Sequence, residues 1–368
     1  MTVGREPGSP LPGLTPEELA RFRAGEALFN RVFTPEEGLG PLFNENQCSA
    51  CHTDPASGGT GGELVVKATR YEGSTCDLLA EQGGLNIRRQ ATPAMKALGI
   101  EREMVPREAT AEGRFTTPFL FGLGLVEAIP ESAILALADS SDRNGDGISG
   151  RPGRAADGRL GRFGRKADFA TIEEFTAGAL LLEMGLTSVL QPRETRVAGK
   201  PLPAGVDPVP DPEIGADSLK LLTDFVRYLA PPAPRAPGWT GAEDSIARGQ
   251  RLFGRAGCES CHVPVLTTGR SSVAALDRTP VALYSDLLLH DLGPELADVC
   301  GPGAAPAELR TTPLMGLSAR RVFMHDGRAH SIKDAILMHG GEGQASRDAF
   351  AALDYLQQLD LIKFLSSR

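Results

Sequence analysis

The sequence predicts a mainly α chain of two similar halves, the first enlarged by loop insertions. Three observations predict it. The pentapeptide Cys-x-x-Cys-His occurs twice, at Cys48-Ser-Ala-Cys51-His52 and at Cys258-Glu-Ser-Cys261-His262. The segments ahead of each copy repeat, and so do the segments that close each half. A proline-rich stretch, Pro231-Pro-Ala-Pro-Arg-Ala-Pro237, separates the two.

Residues 1–14 read as a flexible, polar tail. Thr15 then offers a helix N-cap, with Pro16 at the first helical position and Glu17 and Glu18 in the first turn. The helix should run through Gly25-Glu-Ala-Leu28-Phe29 to the first pentapeptide. Gly249-Gln-Arg-Leu252-Phe253 stands in the same place before the second. Thr223-Asp224-Phe-Val-Arg-Tyr-Leu229 matches Leu359-Asp360-Leu-Ile-Lys-Phe-Leu365. Aspartate, two apolar residues, a base, an aromatic and leucine recur at the spacing of an amphipathic helix. Four prolines in seven residues make the spacer stiff and extended. The expected division is therefore 15–232 and 233–368, and strand signals are weak throughout.

Cys-x-x-Cys-His is the attachment signature of a c-type haem. Each thiol can form a thioether to the macrocycle, and the histidine becomes the proximal iron ligand. A single Cys-x-x-Cys could instead be half a zinc site or a thiol redox pair. Two copies that each end in histidine favour two covalent haems. Helix, haem loop, variable middle and closing helix is the plan of a cytochrome c domain. The chain is thus expected to hold two cytochrome c-like domains with one covalent haem c each, ligated by His52 and His262. Such attachment follows export, so a periplasmic location is expected, with the signal peptide removed.

The net charge of −9 argues against a nucleic-acid partner. No apolar run approaches the roughly 20 residues that span a bilayer. Of the six cysteines, Cys76 and Cys300 remain outside the motifs. They are expected either to pair as a staple between the halves or to stay as separate thiols. Asp142, Asn144 and Asp146, followed by Gly147, fit the opening of a calcium loop. Gly153 stands where the bidentate glutamate belongs, so a tight Asx-rich loop is the alternative.

These features together resemble the di-haem oxidoreductase family of peroxidase type, related to bacterial dihaem cytochrome c peroxidases and MauG. The most specific stretches are Gly122–Pro130, Asn144–Arg151, Gly161–Gly164, Leu287–Gly293 and His325–Ala329. In the relatives, His-Asp-Gly precedes the distal ligand of the C-terminal haem by 14 residues. Counting 14 on from His325 lands on His339. The resemblance thus implies a His262–His339 pair, with Met338 and Met324 as alternatives and His325 as a supporting group. No histidine falls between His52 and His262, so the N-terminal iron is expected to keep an open face unless a methionine such as Met184 closes it.

The segment Ile172-Glu-Glu-Phe to Glu183-Met184-Gly185 resembles the one carrying the distal catalytic glutamate. That role is carried to Glu183, with Glu127 as the rival carboxylate. The chain also departs from the relatives. Arg165 lies where they place a tryptophan relay between the haems, and the only tryptophan is Trp239. Leu309 and Met315 flank a segment that is tryptophan-containing in relatives, and Arg320-Arg-Val-Phe323 replaces Thr-Ala-Pro-Tyr. The resemblance implies an enzyme that takes electrons from a small donor protein, a cytochrome or cupredoxin. It would spend them on hydrogen peroxide, or oxidise a protein substrate. The alternatives are a non-catalytic dihaem electron-transfer cytochrome and a sensor or structural subunit.

Overall fold

The computed structural model describes residues 6–234 and 242–368. Trp239 and the end of the proline-rich spacer lie outside them. Seven helices position the site: α1 (Pro16–Phe29), α2 (Ile172–Met184), α3 (Ala216–Tyr228), α4 (Ala242–Arg255), α5 (Ile332–Leu337), α6 (Gln344–Ala351) and α7 (Tyr355–Ser366). α1 starts where its sequence directs. Thr15 Oγ1 accepts from Glu18 N at 3.2 Å, and the Glu18 carboxylate accepts from Thr15 N at 2.8 Å. That reciprocal box satisfies two amides no helical carbonyl can reach.

The sequence repeats become two like helix crossings, α1 on α3 and α4 on α7. Each is made at the repeated glycine. A Cβ on Gly25 would sit 2.1 Å from Leu221 O, and one on Gly249 would sit 2.1 Å from Asp360 O. Only glycine permits so close an approach. The repeated aspartates tie the same crossings, Arg21 Nε donating to Asp224 at 2.5 Å and Arg248 Nε to Asp360 at 2.6 Å.

Residues 6–14 are not a loose tail. Leu11 is buried, Leu11 N donates to Tyr228 O at 2.7 Å, and Ala230 N donates to Ser9 O at 2.9 Å. The last carbonyls of α3 have no helical donor, and Leu11 N supplies one to Tyr228 O.

The expectation of a mainly α chain holds only in part, because ten short strands accompany eleven helices among the described residues. The largest sheet lies in the insertion. Its centre is β1 (Leu64–Glu72), which pairs antiparallel with β2 (Thr75–Asp77), β3 (Asn86–Ile87) and β4 (Ala111–Thr116). Val65, Val66, Thr69 and Tyr71 suit an extended strand. A second ribbon, β5 (Leu289–Asp291) with β6 (Glu308–Arg310), pairs Leu289 with Arg310 and His290 with Leu309.

The largest apolar cluster is shared by the two halves. Phe29, Leu125, Phe163 and Phe225 of the first share one apolar cluster with Leu283, Leu287 and Leu288 of the second. A smaller cluster around Phe253, Phe350 and Phe364 belongs to the second half alone. Cys76 and Cys300 are bonded, their Cα atoms 5.8 Å apart across 224 residues of sequence. This ties the β1–β2 hairpin to the second half.

Closing so long a loop removes unfolded-state entropy worth about 5 kcal/mol in the chain-entropy treatment. Replacing Cys76 and Cys300 together by serine should therefore cost about 2–5 kcal/mol. Calorimetry would read this as a lowered Tm, and an unchanged Tm would rule out a stabilising bridge.

Candidate functional site: two cavities sharing a wall

Each Cys-x-x-Cys-His segment opens into an apolar-walled cavity of about 220 Å³. Cys48, Cys51 and His52 line the first. His52 Nδ1 is 3.0 Å from Gly59 O, which leaves Nε2 as the nitrogen a metal can take. The Phe29 ring packs 5.8 Å from the imidazole. Burial pushes the His52 pKa down to about 4, so the ring is neutral, as a ligand must be.

Glu183 lines the same cavity. Thr171 caps α2, accepting from Glu174 N at 3.2 Å, and Gly185 ends it in the left-handed region at φ 65°. These two ends fix Glu183 on the last turn. Its carboxylate accepts from Asn44 Nδ2 at 2.7 Å and from Asn86 Nδ2. Burial pushes the carboxyl pKa up, while the Asn44 hydrogen bond and the charges of Lys67, Arg88 and Arg89 oppose the rise. Strand pairing sets Lys67 opposite Asn86, so the sheet delivers both to this wall. Asn44, Asn86 and Lys67 were not foreseen, and no motif flags them.

Two methionines reach this cavity, Met184 and Met315. Met184 Sδ lies 4.0 Å from Cys48 Sγ, the first cysteine of the pentapeptide. The Met315 methyl packs on Gly122, where a Cβ would meet it at 2.3 Å.

Cys258, Cys261, His262 and His339 line the second cavity. His262 Nδ1 is 2.9 Å from Tyr284 O, and His339 Nδ1 is 2.7 Å from Ala335 O. Both rings therefore keep Nε2 free. Burial pushes His262 down to about 4 and lowers His339 as well, leaving neutral imidazoles. Met338 does not line this cavity, whereas Met324 does. His325 also lines it, with Nε2 3.1 Å from Asp298 Oδ2 and its ring 5.7 Å from Phe115.

His290, within Leu287–Gly293, has a role the sequence did not suggest. Its Nε2 lies 2.8 Å from Asp286 and its Nδ1 2.7 Å from Glu342. Glu342 also accepts from Ser149 Oγ at 2.7 Å, which ties the insertion to the second cavity. Burial opposes charge on His290, but the hydrogen bonds to Asp286, Cys261 and Glu342 overcome it and push the pKa up to about 12.

Glu127 is drawn elsewhere and does not line either cavity. Its carboxylate accepts from Ile172 N at 2.8 Å and pairs with Arg227 at 2.7 Å, fixing the start of α2 on α3. The loop at Asp142, Asn144 and Asp146 spends its oxygens on its own amides. Asp142 accepts from Gly147 N at 3.1 Å, Asn144 from Asp146 N at 3.1 Å and Asp146 from Ile148 N at 2.9 Å. These are the internal hydrogen bonds of an Asx-rich loop. Among the described residues, the one group of metal-capable side chains close enough to share an ion is Glu194, Asp207, Asp211 and Glu213. The cysteines and histidines of the two pentapeptides therefore form no zinc cage.

The residues present fit haem. Each cavity has two free thiols, a neutral imidazole with Nε2 available, and apolar walls. Arg320 Nε, in the wall, is buried without a partner.

Residues 99–368 match the family described as "Di-haem oxidoreductase, putative peroxidase". The chain belongs to that di-haem oxidoreductase family, and haem is its implied cofactor. The match takes in the second Cys-x-x-Cys-His and His339, and the first pentapeptide precedes it. No curated protein matches the chain. Among solved structures, the diheme peroxidase BthA from Burkholderia thailandensis is 16% identical, with 100% of this chain and 91% of that one covered and a TM-score of 0.44. A MauG-like protein associated with microbial copper homeostasis is 14% identical, over 100% and 93%, with a TM-score of 0.40. Kuenenia stuttgartiensis hydrazine synthase is 14% identical, over 99% and 95%, with a TM-score of 0.46. Identity this low leaves the chemistry of the site to its own residues. No helix among the described residues is long and apolar enough to cross a membrane.

The raised pKa of His290 is also a statement about stability. A group lifted from 6.5 to about 12 contributes fully below pH 6.5 and progressively less as pH climbs toward the folded value. His290→Ala should therefore destabilise more at pH 6 than at pH 9. Denaturant titrations at the two values check this, and an equal loss at both would show that the imidazole is not held charged.

Proposed function

We propose that the chain is a periplasmic di-haem c oxidoreductase of peroxidase type, with both haems held covalently by Cys48 and Cys51 and by Cys258 and Cys261. The second cavity serves electron entry from a small donor protein, a cytochrome or cupredoxin. The first serves reduction of hydrogen peroxide or oxidation of a partner. One observation carries this reading: the cavities are unequal. His262 and His339 both line one, while His52 is the only histidine of the other among the described residues, where Glu183 stands with its two asparagines.

Bound haem supplies one-electron transfer and reductive cleavage of an oxygen–oxygen bond. The protein supplies the rest. Reducing one peroxide to two waters takes two electrons and two protons, so a group must first remove a proton from one oxygen and then deliver one to the other. Glu183 suits that exchange because it is a carboxylate lining the cavity whose proton affinity burial raises. Asn44 and Asn86 aim its carboxylate. Gly59 O holds the His52 ring in one tautomer with Nε2 unprotonated. Phe163, Phe169 and Phe175 wall the cavity and limit water. Around the second cavity, neutral His262 and His339 offer two like nitrogens, which favour a low-spin iron confined to electron transfer.

Glu183→Gln should keep both haems and their spectra, yet lose about 10²- to 10⁴-fold in peroxide turnover. Undiminished turnover would remove Glu183 from the chemistry. His339→Ala should turn the C-terminal haem from low-spin to high-spin in the EPR spectrum. If the spectrum stays unaltered, the second ligand lies elsewhere. If the wild-type protein is low-spin at both irons when oxidised and when half-reduced, a methionine closes the first site, and the chain is an electron-transfer cytochrome.

A further inference from the structure

The two cavities share a wall. Thr116, Thr117, Phe119, Thr312 and the three arginines Arg165, Arg310 and Arg320 line both. Among the described residues none of these arginines forms a salt bridge with a carboxylate. Their contacts are neutral. Arg165 Nη2 donates to Thr116 Oγ1 at 3.0 Å. Arg310 donates to Gly164 O at 3.0 Å and to Thr311 O at 3.1 Å. Arg320 Nη2 donates to Pro313 O at 3.3 Å, and its guanidinium lies 4.9 Å from the centre of the Phe119 ring. Arg320 Nε is buried and has no acceptor.

Elsewhere the fold treats a buried arginine differently. Arg88 is as buried as its partner Glu103 and is held by that carboxylate at both Nε and Nη2. On the shared wall, burial pushes Arg165 and Arg310 down to about 10 and Arg320 to about 9, with Arg165 and Arg310 repelling Arg320. All three are still cationic at neutral pH. Asp298 and Asp326 act on Arg165, and Asp286 and Asp168 on Arg310, only from a distance and without outweighing burial, and no carboxylate acts on Arg320 in this way. Three like charges with no directly bonded carboxylate are costly in a buried wall, and anionic groups on the occupants of the cavities would offset that cost. Guanidinium forks match carboxylates. A haem carries two propionates, and two haems set against this wall would supply them.

We propose that Arg165, Arg310 and Arg320 form one carboxylate clamp shared by the two cavities, which holds propionates of both haems and raises the reduction potentials of both irons together. The clamp rests on the two-haem reading above. Its direction follows from charge. The ferrous state carries one positive charge fewer than the ferric, so neighbouring cations favour reduction, while bare propionates favour oxidation. Arg165 stands where the resemblance places a tryptophan, so here the position between the haems carries charge instead of an aromatic ring.

The test uses the full-length protein with its haems. The haem count per chain is taken first, by the pyridine haemochrome spectrum. Spectroelectrochemical titration then follows both haems in wild type and in Arg165→Gln, Arg310→Gln and Arg320→Gln. Both midpoint potentials should fall in each variant, and the corresponding Arg→Lys variants should recover part of the loss. Potentials that stay put, or a single haem that moves while the other does not, would overturn the clamp and leave the two-haem reading intact. Fewer than two haems in wild type would overturn both. Should a Gln variant fail to mature, the Lys variants decide through the propionate bending bands in resonance Raman. Bands shifted at both haems support the clamp, and bands unmoved at either one overturn it.

Discussion

The hydrogen bond that anchors each motif histidine through Nδ1 to a main-chain carbonyl decides what the two cavities can do. Gly59 O does this for His52, and Tyr284 O for His262. Each bond fixes the tautomer and leaves Nε2 to the cavity. The helix crossings at Gly25 and Gly249 stand behind these anchors, because they bring Phe29 and Phe253 against the same two rings. A repeated helix–loop unit thereby yields the same half-site twice. What differs between the sites is contributed from the other side of each cavity.

That difference comes from segments with no counterpart in the other half. His339 follows the short helix α5 in the second cavity, while Glu183, Asn44 and Asn86 reach the first from α2, a loop and β3. Burial acts on both sets with opposite chemical results. It keeps the imidazoles neutral, as a metal ligand must be, and it raises the pKa of the Glu183 carboxyl. One physical effect thus leaves one cavity with neutral imidazoles and the other with a carboxyl of raised pKa.

The halves are bound together more closely than a linker and two domains would require. A common apolar cluster, the Cys76–Cys300 bond and the Ser149–Glu342–His290 chain all cross between them. This fixes the wall of arginines relative to both cavities.

Local chemistry was written in the sequence. The pentapeptides, the Thr15 cap and the paired glycines and aspartates each depend on neighbours a few residues away, so their spacing suffices to place them. His339 and Glu183 were singled out through resemblance; His339 lines the second cavity and Glu183 the first. The strands were missed because β1 takes its partners from residues 75 to 116, and short strands carry little periodicity of their own. Glu127 looked catalytic until Arg227 and Ile172 N claimed it, and the Asp142 loop turned its oxygens onto its own amides. Asn44, Asn86 and the three arginines lie far apart in sequence, and only the folded chain gathers them. The sequence by itself determined where two thiols and a histidine stand together, because those groups sit side by side along the chain. The tertiary structure decided which groups face the cavities and which are left without a directly bonded carboxylate, because burial and pairing are properties of space.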